Sequence, residues 1–149
     1  MKILLIRHAH AIDSGDGGGR VDDDRWLTDK GRTVARKVGD RLREEGYAPD
    51  AIVTSPLVRA VQTAELVSRG LKFKGVVEVL AELAPDGSIR AAAAALEDRG
   101  GLVVAVGHEP GISALASHLA GRPVSSFRKG EAVLVRDGKL DYRLDPDSL

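Results

Sequence analysis

The chain has no cysteine, which excludes disulfides, thiol nucleophiles and thiolate metal sites and makes it equally suited to a reducing compartment. It also lacks charge of one sign: 22 basic and 22 acidic residues leave a formal net charge of zero, against a general nucleic-acid binder or an anionic-membrane binder. Long hydrophobic runs are missing as well. Only five residues separate Met1 from Arg7, too few for a secretory leader, and no stretch approaches a membrane span. The expectation is a cytoplasmic protein with no nucleic acid and no membrane among its partners. The glycines fit neither a Walker loop nor a dinucleotide fingerprint, the aspartates lack calcium-loop spacing, and there is no internal repeat.

With 149 residues, 43% hydrophobic and 30% charged, the composition is that of one globular domain, 1–149. Strand-like runs occur at Lys2–Ile6, Ala51–Thr54, Val76–Leu80, Leu102–Val106, Ala132–Val135 and Leu140–Leu144, with helical patterns in the first four gaps. Such alternation predicts a three-layer α/β/α fold around a mostly parallel sheet of five to six strands. Asp137-Gly138 between the last two runs signals a hairpin, so the sheet is expected to be mixed.

The first helix is expected to start at Thr28 as N-cap and stop at Gly46, with Val34, Val38 and Leu42 on its apolar face. The second is expected to use Ser55 as N-cap and Pro56 as first helical residue, with Leu57, Val61, Ala64 and Val67 facing the core and Arg59 off that stripe. A third covers Ser88–Arg99, and a fourth runs from Pro110 to Gly121. Asp13–Arg25, with four glycines and five aspartates, reads as a solvated loop, a substrate-selecting lid being the alternative.

Four features fall at the carboxyl ends of predicted strands or in the helix starts after them. They are Arg7-His8, the stretch Ser55–Arg59, Glu82, and Gly107-His108-Glu109-Pro110-Gly111. In a parallel sheet these ends share one edge and can converge on a ligand crevice. Two arginines, two histidines and a carboxylate suit phosphoryl transfer: planar guanidinium forks grip two phosphoryl oxygens at once, and free amides in the first turn of a helix favour an anion. Taken singly, each has a plainer reading. Arg7 could sit in a surface ion pair, His8 could cap a carbonyl, Arg59 could be an exposed helix charge, and His108 could be a turn residue. His8-x-His10 with His108 could also form a metal site, although two adjacent arginines would repel the cation. His118, in mid-helix, reads as a surface residue.

At these residues the chain resembles the histidine phosphatase superfamily, the phosphoglycerate-mutase-like group (branch 1), and within it the short SixA-type phosphohistidine phosphatases. The resemblance is carried by LLIRHAHA, WLTDKGR, IVTSPLVRAVQTAE, VLAELAPDGS and VVAVGHEPGIS, in that order between Lys2 and about Gly121. It implies that His8 is the nucleophile that becomes phosphorylated, that Arg7 and Arg59 clamp the phosphoryl group, that His108 hydrogen-bonds it, and that Glu82 stands at the general-acid position. It implies a hydrolase without cofactor or metal, acting on a phosphohistidine-bearing phosphotransfer or signalling protein. The alternatives are a phosphomonoesterase for sugar phosphates or nucleotides, and a phosphohistidine-binding module without turnover. Two departures stand out. Ala9 replaces the glycine of the family's Arg-His-Gly motif, and the chain is too short for the insertions that close the mutase pocket. Both point away from mutase chemistry. Nothing in the residues indicates an oligomeric state.

Overall fold

The computed structural model describes residues 1–13 and 22–149, so most of the glycine- and aspartate-rich stretch lies outside the described residues. Its elements are β1 (Lys2–Arg7), α1 (Asp29–Glu44), β2 (Ala51–Thr54), α2 (Val58–Leu71), β3 (Glu78–Val79), α3 (Ile89–Leu96), β4 (Leu102–Gly107), α4 (Gly111–Ala120), β5 (Ala132–Arg136) and β6 (Lys139–Leu144). Short 3-10 turns occupy Asp22–Asp24, Ala81–Leu83 and Pro146–Ser148.

One sheet of six strands runs in the order β3-β2-β4-β1-β5-β6. β3, β2, β4 and β1 are parallel, while β5 and β6 add antiparallel pairs through the predicted hairpin. At its tip Asp137 and Gly138 both take positive φ, 49° and 76°, as a two-residue turn of matching twist demands. Because side chains alternate along a strand, Ile3 and Leu5 join one core and Leu4 and Ile6 the other. The first core, with Leu96, Ile112 and Leu115, lies under α3 and α4; the second, with Val38, Leu42 and Val67, lies under α1 and α2. A sheet buried on both faces explains why its central strands read as unbroken apolar runs. The α1–α2 contact is close enough that a Cβ on Gly39 would lie 2.4 Å from the Val67 carbonyl oxygen, and one on Gly70 would lie 2.7 Å from that of Arg36.

Thr28 caps α1 as expected, its hydroxyl accepting from the Gly31 amide, and Ser88 does the same for α3 through Ala91. Two expectations need correction. The Val76–Leu80 run yields only the two-residue β3, because it lies at the sheet edge with Val76 84% exposed. Ser55 does not cap α2, which begins at Val58 after Leu57. Its amide donates to the Val106 carbonyl at 3.0 Å, so Ser55 prolongs the β2–β4 ladder instead of opening a helix. The buried face of α2 consequently runs through Arg59, Ala60, Thr63, Ala64, Val67 and Leu71, with Val61 only half-buried. Among the described residues no helix is long and apolar enough to cross a membrane.

Candidate active site

The β1–β4 ladder carries His8 to its place. Arg7 pairs with Gly107 at the end of both strands, and the His8 amide donates to the Gly107 carbonyl at 3.0 Å. His8 and His108 therefore emerge side by side, their ring centroids 5.2 Å apart and inclined at 54°. Arg59 enters from the first turn of α2 and is 5% exposed, contrary to its placement off the core stripe. A single threonine ties these pieces together. The Thr63 hydroxyl accepts from the Ala9 amide at 3.0 Å and donates to the Arg59 carbonyl at 2.8 Å, joining the segment after β1 to the start of α2.

The protonation of His8 follows from its neighbours. Nδ1 lies 2.8 Å from the Ala9 carbonyl oxygen, which can only accept, so Nδ1 carries the hydrogen. Nε2 faces the Nε–H of Arg59 at 3.4 Å, and a guanidinium can only donate, so Nε2 presents a lone pair. His8 is thus a neutral imidazole whose Nε2 lone pair is turned toward Arg59. Its pKa is lowered to about 3, chiefly by burial, with His108, Arg59 and Arg7 adding to the effect and the Ala9 carbonyl opposing it.

His108 is lowered to about 4, again mainly by burial, then by Arg59. Its Nε2 meets the Ser55 hydroxyl at 2.7 Å, and the same hydroxyl oxygen accepts from the Leu57 amide at 3.2 Å. Arg7 donates from Nη1 to the Phe127 carbonyl at 2.9 Å. Among the described residues, the buried side-chain nitrogens and oxygens with no hydrogen-bond partner in the protein are Arg7 Nε and His108 Nδ1. Both residues are close enough to act electrostatically on His8, and an orphaned buried polar atom is costly unless a ligand meets it.

Asp22 was absent from the sequence-based candidates. Its backbone carbonyl accepts from Arg59 Nη1 at 2.8 Å and its Oδ2 from Nη2 at 3.1 Å, while Oδ1 accepts from Arg25 at 2.8 Å. These bonds, that of Arg25 foremost, hold its carboxyl below the usual carboxylate range. The end of the supposed solvated loop therefore belongs to the site. Glu82 is half-buried in the Ala81–Leu83 turn and lines a small pocket with His108, Leu83, Ile112 and Leu115. His10 is exposed and engages Thr28 Oγ1 at 2.9 Å, and His118 is exposed.

Two histidines and two arginines thus gather at the carboxyl edge of the parallel strands of a three-layer α/β fold. The family model of the histidine phosphatase superfamily (branch 1) matches residues 3–84, and the chain belongs to that superfamily. Over 124 residues it is 37% identical to an uncharacterized protein of Picosynechococcus sp., a stretch covering 80% of this chain and 73% of that one. Over 71 residues it is 45% identical to the mitochondrial serine/threonine-protein phosphatase Pgam5 of Drosophila virilis, which is 48% of this chain but 23% of the fly protein. Among solved structures, the protein histidine phosphatase SixA complexed with tungstate superposes with a TM-score of 0.88 at 25% identity, over 99% of both chains. A SixA protein of Agrobacterium tumefaciens shares the fold at 23% identity and a TM-score of 0.84, over 97% of each chain.

Proposed function

We propose that this phosphatase hydrolyses phosphohistidine on a phosphotransfer or signalling protein, through a covalent phosphohistidine on His8. The observation that carries the reading is the pairing of a lone pair on His8 Nε2 with two buried donors, Arg7 Nε and His108 Nδ1, that have no partner in the protein. The three together describe a receptor for a phosphoryl group: a nucleophile facing phosphorus and donors for its oxygens.

His8 Nε2 attacks phosphorus, a new N–P bond forms, and the bond to the leaving imidazole nitrogen breaks. Arg7, Arg59 and His108 stabilise the charge on the phosphoryl oxygens. For His108 to donate from Nδ1 while neutral, its Nε2 must accept, so the Ser55 hydroxyl donates to it and takes the Leu57 amide on its own lone pair. Ser55 holds the ring through Nε2, as a buried partner orients any ligating histidine, and with its O–H donating it leaves Nδ1 as the donor. The departing nitrogen takes its proton from water or from Glu82. Water then attacks the phosphorylated His8, breaking the N–P bond and releasing inorganic phosphate. No cofactor or metal enters these steps.

The likeness to SixA proteins supports a protein substrate, as does a chain without the insertions of the mutases. One observation favours phosphomonoesters instead: Glu82 shares a pocket wall with His108, where a carboxylic acid could protonate an alkoxide. The two readings separate on rate. Turnover of a phosphohistidine-bearing phosphotransfer protein is expected to exceed that of sugar phosphates and nucleotides by at least about 100-fold in kcat/KM. The reverse order would assign the enzyme to small phosphomonoesters.

A further inference from the structure

Resting on the reading of Arg7 as a phosphoryl ligand, we infer that Glu131 is a positioning residue that sets the Arg7 guanidinium through a single peptide group. Glu131 is 7% exposed and takes no part in the steps above. Its Oε1 accepts from the Arg128 amide at 2.7 Å, and the carbonyl on the other side of that same peptide, Phe127 O, accepts from Arg7 Nη1 at 2.9 Å. A carboxylate bonded to the N–H of a peptide draws electron density toward the carbonyl and makes it a stronger acceptor. The chain carboxylate, peptide, guanidinium therefore fixes Nη1 and leaves Arg7 Nε, buried and without a partner in the protein, for a phosphoryl oxygen.

The backbone repeats the same link. The Arg7 amide donates to the Glu131 carbonyl at 3.1 Å, and the Gly130 amide donates to the Arg7 carbonyl at 3.0 Å. Glu131 is itself held by Arg143, whose Nε donates to Oε2 at 2.8 Å and whose guanidinium lies 5.3 Å from the centre of the buried Phe127 ring. On the far side of Phe127, its amide donates to Glu109 Oε2 at 2.5 Å. The loop is clamped from both sides, and of the two carboxylates it is Glu131 that bonds the peptide whose carbonyl receives Arg7.

Glu131→Gln tests this, because it removes the negative charge that polarises the peptide and must turn an NH2 toward either the Arg128 amide or Arg143. Binding of inorganic phosphate, followed by calorimetry, is expected to weaken by about tenfold, the scale of one charge-assisted hydrogen bond. In the Arg7→Ala background the same substitution is expected to change phosphate affinity by less than about twofold, since coupled residues are not additive. Arg143→Gln, which leaves the Glu131 contact to Arg128 in place, should lower the melting temperature yet hold phosphate within about twofold of the parent. Should Glu131→Gln fail to fold, Glu131→Asp, charged but one methylene short of Arg128, carries the same expectation. Equal weakening with and without Arg7 would make Glu131 merely structural and overturn the inference, as would unchanged affinity in the single variant. Failure of the parent protein to bind phosphate would instead strike at the reading of the pocket, a distinguishable result.

Discussion

Replacing Ser55 by alanine tests how the pocket holds His108. The hydroxyl is fully buried and has two partners, the Leu57 amide at 3.2 Å and His108 Nε2 at 2.7 Å. Alanine leaves the Leu57 amide unpaired, which costs about 1–3 kcal/mol. For a chain of this size each kcal/mol lowers the melting temperature by about 2–4 °C. The larger consequence is on turnover. His108 loses its hydrogen-bond partner at Nε2, and a pocket that loses one preorganised donor loses up to about 10²–10³ in rate. Because the ring also loses its anchor at Nε2 and can turn its donor away from the phosphoryl oxygen, a fall of about 10- to 100-fold in kcat is the expected outcome. Initial rates on a chromogenic phosphate ester measure it, with thermal denaturation reporting the stability change and ¹⁵N shifts of the His108 ring reporting the tautomer. A folded variant whose kcat stays within about twofold of the parent would refute the reasoning.

Asp22→Asn removes a carboxylate that shares the Arg59 fork with any incoming anion. Since the Asp22 side chain is 52% exposed, the gain is that of a screened charge, and inhibition by phosphate should tighten by only about two- to fivefold. Weaker inhibition would mean that Asp22 holds Arg59 in place for the substrate. The histidines predict a pH dependence of stability. His8 and His108 titrate in the fold at about 3 and about 4, below the 6.5 of an ordinary histidine, so between those values the unfolded chain binds protons that the native state does not. Stability is whole above about pH 6.5 and declines as pH falls below it, by about 2 kcal/mol per histidine at pH 5. Urea denaturation of His8→Gln should show a shallower decline between pH 7 and 5 than the parent; an identical slope would contradict the burial argument. The same values leave His8 unprotonated from pH 5 upward, so its protonation should not depress kcat/KM until the solution is more acid than about pH 4.

Much of this site is legible in the chain because its strands are buried on both faces. Four apolar residues closed by Arg7-His8, and Leu102–Val106 closed by Gly107-His108, mark strand ends directly, and parallel pairing brings such ends together. Helix starts are less legible. Ser55 has the composition of an N-cap, but its amide belongs to the sheet and its hydroxyl to His108, both long-range partners that local preference cannot register. Arg59 looks like a surface charge by periodicity, and is buried because His8 and Asp22 stand against its guanidinium. Thr63 stands in the motif SPLVRAVQTAE without a visible task until Ala9 and Arg59 are seen to meet it. Glu131 stands just before β5 and Arg143 within β6, and the two pair across the hairpin, which composition leaves silent.

The central claim is that His8 Nε2 forms a bond to phosphorus. Mixing the enzyme with ³²P-labelled phosphohistidine protein, quenching in alkali within milliseconds and mapping the label by peptide digestion tests it most directly. The account predicts acid-labile label on the peptide that contains His8, absent from His8→Ala and chased by water as inorganic phosphate appears. Label on His108, or phosphate released with no label on the enzyme at any time, would contradict it.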